Sequence, residues 1–123
     1  MKNTALFSFI AAAALALCAV SCKKSSQTDA TQPLQQSFQT AEPEVKTAID
    51  TVTTNLKAQN YAEATRALVP VITRPLTDQQ KQAVGVALKQ INDAVAANPA
   101  LDTKEMYEMR AKMFQAVHRG PRF

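Results

Sequence analysis

The most chemically suggestive cluster in this 123-residue chain lies toward its C-terminal end. Met106, Met109 and Met113 recur at steps of three and four, and His118 follows. On a helix, that spacing stacks soft thioether donors along one face, the kind of ligand set that selects Cu(I). The same spacing also describes a buried stripe, because methionine fills irregular gaps in a core. His118 is the only histidine, so any acid–base dyad must use it. Ser25, Ser26 and Ser37 lie in or near a polar leader, a poor setting for a nucleophile. A histidine in a last helical turn suits the negative end of the helix dipole. Glu42 with Glu44, and Glu105 with Glu108, are paired carboxylates, yet each pair falls where a first helical turn already favours acids. With no glycine-rich phosphate loop and no Cys or His cluster, neither enzymatic activity nor a cofactor is expected.

The two cysteines, Cys18 and Cys22, belong to a different chemistry. Met1, Lys2, Asn3 and Thr4 give a short positive start, and residues 5–17 are apolar apart from Ser8. That is the layout of a secretory signal, too short for a membrane span of about 20 residues. Ala19-Val20-Ser21-Cys22 resembles the lipobox of bacterial lipoprotein precursors, in which small residues precede a cysteine that is thioether-linked to diacylglycerol before cleavage. Ala19 stands where that family most often has leucine, and Leu17 is too bulky to make Cys18 a rival. The resemblance implies a signal peptide over residues 1–21 and a palmitate-type acylated Cys22 as the first mature residue. Cleavage would leave Cys22 as the lone thiol in an oxidising compartment, and lipid attachment accounts for it. Several acyl chains at about 0.8 kcal/mol per buried CH₂ would make the membrane anchor effectively permanent. Lys23 stands where an Asp would favour the inner membrane in well-studied Gram-negative lipoproteins, so the outer membrane facing the periplasm is expected.

Stepping along the chain, residues 22–32 are polar and contain no aliphatic side chain larger than alanine beyond Cys22, which reads as a flexible tether. From Asp29 to Glu108 ten acids outnumber seven bases, whereas Arg110, Lys112, Arg119 and Arg122 stand unopposed at the end. The positive charge therefore sits at the ends, not in a basic stripe with interleaved aromatics, and no nucleic-acid partner is expected. Residues 119–123 form a basic tail able to meet anionic headgroups or an acidic partner.

Between tether and tail, residues 33–118 are expected to form one all-α domain, a small bundle of about four helices in two antiparallel hairpins. Leu34, Phe38, Ala41, Val45, Ile49, Val52 and Leu56 draw one apolar stripe, with either a kink or a fresh start at Pro43. Asn60 with Glu63 resembles a capping box for a second helix that Pro70 distorts or ends. Thr77 with Gln80 caps a third, which carries Val84, Leu88, Ile91 and Val95 and stops at Asn98-Pro99. Gly85 inside it costs about 1 kcal/mol, which a close helix crossing could offset. Asp102 with Glu105 is expected to cap the fourth, with the methionines on one face, Tyr107 and Phe114 beside them, and a stop at Gly120-Pro121.

Residues 60–68, through Asn60-Tyr61-Ala62-Glu63-Ala64 and Leu68, resemble the turn and second helix of a tetratricopeptide repeat, with Gln59 where that family has glycine. The resemblance implies a protein-binding or self-assembly scaffold without chemistry of its own. Tyr61, Arg119 and Arg122 are the candidate contacts to a partner. The expected function is thus a membrane-anchored, non-enzymatic helical interaction module of the cell envelope, binding an envelope protein or itself. The alternative is a small-ligand or Cu(I)-binding envelope protein that uses Met106, Met109, Met113 and His118.

Overall fold

The computed structural model describes residues 28–119. Cys22, with the expected signal and lipobox, and Arg122 in the expected tail lie outside the described residues. The described chain is all-helical, without strands, and comprises five packed α-helices: α1 (Thr31–Ser37), α2 (Pro43–Lys57), α3 (Tyr61–Ile72), α4 (Asp78–Ala97) and α5 (Lys104–His118). A 3-10 turn, Pro99–Leu101, lies between α4 and α5. No helix among the described residues is long and apolar enough to cross a membrane.

The expected first stripe is split in two. Proline at 43 has no amide proton and is pre-set for a first helical turn, so the chain breaks after Ser37 and starts α2 at Pro43. Val45, Ile49, Val52 and Leu56 then go inward. On the solvent side the Thr47 hydroxyl donates to the Pro43 carbonyl, Thr51 to Thr47, and the Asn55 amide to Thr51, at 2.9–3.0 Å.

The ordered fold also starts before the expected end of the tether at residue 32. Ala30 is wholly buried, and its N–H donates to the buried Gln90 Oε1 of α4 at 2.9 Å. The Asp29 carboxylate, one residue before the N-cap Ala30, accepts from the Thr31 N–H at 2.9 Å, which holds the Asp29 carboxyl below its usual pKa.

The turn between α2 and α3 is closed without the expected capping box. Gln59 takes a left-handed φ of 60° and the Asn60 N–H reaches back to the Asn55 carbonyl at 2.8 Å. The Asn60 side chain is spent on Asn55, and Glu63 on Arg66. Pro70 falls in the last turn of α3, which ends two residues later at Ile72.

For α4 the capping box is present in full: the Gln80 N–H donates to the Thr77 hydroxyl and the Thr77 N–H to Gln80 Oε1. The cap of α5 lies one residue later than expected, because Arg110 binds the Asp102 carboxylate, leaving the Thr103 hydroxyl to accept from the Met106 N–H at 3.1 Å.

One core joins all five helices. α2 packs on α3, α4 on α5, α3 on α5, and α1 lies against both α2 and α4. Leu34, Ile49, Leu68, Ile91, Met106 and Met113 are its largest fully buried side chains. Arg66 of α3 bridges Glu63 and Glu105, which keep it firmly protonated and tie α3 to α5 at the surface.

Candidate functional site

Of the residues that suggested Cu(I), the three methionines share one face of α5 but His118 does not join them. Met106, Met109 and Met113 are buried in the core on the face of α5 turned to α3 and α4. His118 is exposed on another face: its Nδ1 lies 2.8 Å from the Phe114 carbonyl, and its ring stacks on Phe114 with centroids 4.1 Å apart. Among the described residues no three His, Cys, Asp or Glu side chains cluster as metal ligands.

Three of the four paired carboxylates serve as structural ties. Glu42 and Glu44 both bind Arg74, at 3.0 and 3.2 Å, linking the start of α2 to the connection after α3. Glu105 is held by Arg66, whereas Glu108 has no ion-pair partner among the described residues.

Tyr61 does not reach the surface as a partner contact. As the first residue of α3 it folds back into the core and is buried. Arg119 is exposed just past α5. Its carbonyl accepts from Lys81 Nζ at 2.8 Å and its guanidinium donates to Gln115 at 3.1 Å.

Arg119 also stands on the rim of an open cleft of about 610 Å³ between the α3–α4 connection and the end of α5. Ile72, Pro75, Leu76 and Ala116 supply apolar walls, and Arg74, Lys81 and Asp78 the charged groups. The Thr77 hydroxyl is committed to the α4 cap and that of Thr73 to the Pro70 carbonyl, so the cleft carries no poised nucleophile with its base.

The most conspicuous surface lies on α5. Tyr107 is 65% and Phe114 55% exposed, the two large apolar side chains that the described fold leaves in solvent. They sit seven residues apart on one stripe, with Ala111 between them and His118 one turn beyond. Leu88 and Asn92 of α4 border this stripe and, with Tyr107, Arg110 and Phe114, shape a shallow groove of about 280 Å³. Arg110 is fixed beside the groove by Asn92 and Asp102. In the sequence these aromatics stood one step off the methionine stripe, so they read as its flank; only the seating of α5 by its methionines turns them outward.

Compared with known proteins, the chain matches no family model, no curated protein and no solved structure.

Proposed function

We propose that this chain is a membrane-anchored, non-enzymatic interaction module of the bacterial cell envelope. It is tethered through acylated Cys22, in the outer membrane facing the periplasm, and presents the outer face of α5 to a protein. The observation that carries the reading is the pair Tyr107 and Phe114, exposed on one helical stripe beside a groove. Large aromatics with rigid side chains anchor protein interfaces, and a small fold leaves them in water at a cost in solubility.

We read the four longer helices as two antiparallel hairpins, α2 with α3 and α4 with α5, with α1 laid against α2 and α4. The left-handed Gln59, at the position where a tetratricopeptide repeat has glycine, supports that resemblance for the first hairpin. The Cu(I) alternative has less behind it, since the methionines fill the core and His118 lies elsewhere.

A photo-crosslinking amino acid placed at Phe114 of the full chain tests the surface, with the exposed Lys46 on α2 as the control position. The expected result is a discrete protein adduct from position 114 in membranes and none from 46. Equal labelling at both positions, or none at 114, removes the reading. The intact mass of the membrane-extracted protein tests the anchor: an unmodified, uncleaved chain would overturn it.

A further inference from the structure

The order of residues along the exposed stripe of α5 narrows the partner. Beside Ala111 two pairs of side chains nearly share a midpoint, one aromatic and one of opposite charge. Tyr107 lies four residues before Ala111 and Phe114 three after, and beside them Glu108 and Lys112 stand on the same solvent flank. Two copies of such a helix crossing antiparallel about a two-fold axis between Arg110 and Ala111 would set each Tyr107 against the partner's Phe114. The same axis would bring each Glu108 to Lys112 of the other copy, twice over. Small Ala111, the stripe residue next to the axis, lets the two helices approach, as small residues do at helix crossings. Neither Glu108 nor Lys112 is ion-paired to another described residue, so both charges are free to pair across the axis.

We propose that the partner of this face is a second copy of the chain, bound through a self-complementary contact between the two α5 helices. The interface is isologous, as in a closed two-fold dimer, and it covers both exposed aromatics at once. A face one helix wide buries less than about 1,200 Å², the size of a transient contact. Confinement of both copies to one membrane raises their effective concentration and makes such a contact sufficient. The inference rests on the interaction reading above and specifies its partner.

Two differently tagged full-length copies, co-expressed and carrying the photo-crosslinker in place of Tyr107, test it in intact membranes. The expected adduct contains both tags. Phe114→Ser lowers its yield about tenfold, as loss of an interface anchor does. Glu108→Lys or Lys112→Glu alone lowers it about threefold, and the two together restore it to within about twofold, because the swapped pair is again complementary. These side chains are exposed, so unchanged far-ultraviolet circular dichroism separates loss of contact from loss of fold. An adduct with some other protein and none between the tags overturns the dimer while leaving the interaction reading intact. Tag-to-tag adducts indifferent to every substitution also overturn it, since the copies then meet elsewhere. No adduct of any kind removes both.

Discussion

Gln90 shows how one side chain can define where a domain begins. A nearly buried amide on α4 is costly unless its groups are used, and its Oε1 accepts the N–H of buried Ala30, sixty residues earlier in the chain. Gln90→Met keeps the volume but leaves that N–H without a partner, so urea unfolding should register a loss of about 1 to 3 kcal/mol. Asp29 works at the same place through charge. The Thr31 N–H holds its carboxyl below the ordinary value, so the native group titrates below its unfolded counterpart. The contribution of this bond is therefore fully present above about pH 4 and is lost as pH falls through the depressed native value. Asp29→Ala should lower stability slightly near neutral pH, solvent screening keeping the effect of this exposed group small, and the gap to wild type should close as the medium is acidified, measured by denaturation at a series of pH values. Neither residue announced this role in the sequence. A polar Gln on a helix and an Asp in a Ser/Thr-rich leader resemble many that stay in solvent, and only the fold brings 30 and 90 together.

The helices themselves were more legible, because periodicity and caps are local properties. Thr77 and Gln80 form the reciprocal cap that their spacing implies, and Val84, Leu88, Ile91 and Val95 go inside together. Errors arose where two local devices competed. Asp102 and Thr103 are both good caps, and the choice fell to Thr103 because Arg110, eight residues on, binds Asp102. The apolar spacing alone runs on past Pro43, and of the kink or fresh start open there the backbone takes the fresh start, leaving α1 as a separate short helix. Gly85 also differs from its expected use. A Cβ added there would lie 3.7 Å from the Val117 Cγ1, an ordinary contact, so the α4–α5 crossing does not require glycine. Gly85→Ala should stabilise the protein by about 0.5 to 1 kcal/mol through helix propensity and a less flexible unfolded chain, seen as a raised thermal midpoint. A lowered midpoint would mean that the crossing has no slack.

At the scale of the whole molecule, the boundary between leader and fold falls before α1 rather than at residue 32. A chain beginning at Phe38, without the fully buried Ala30 and Leu34, should lose about 3 to 5 kcal/mol, judged by chemical denaturation. The candidate surface was only half visible in the sequence for a related reason. Tyr61, Tyr107 and Phe114 are all aromatics on helices, and which of them meets water depends on how each helix is rotated: Tyr61 is packed inward, whereas the methionines claim the inner face of α5 and turn the other two out. The bond from Ala30 to Gln90 has a mechanical meaning as well. If Cys22 carries the lipid, a pull from the membrane enters the fold about two-thirds of the way along its longest helix, not at a loose end. The first part of the fold to meet that load is then α1, packed against α2 and α4 and joined to α4 through this bond.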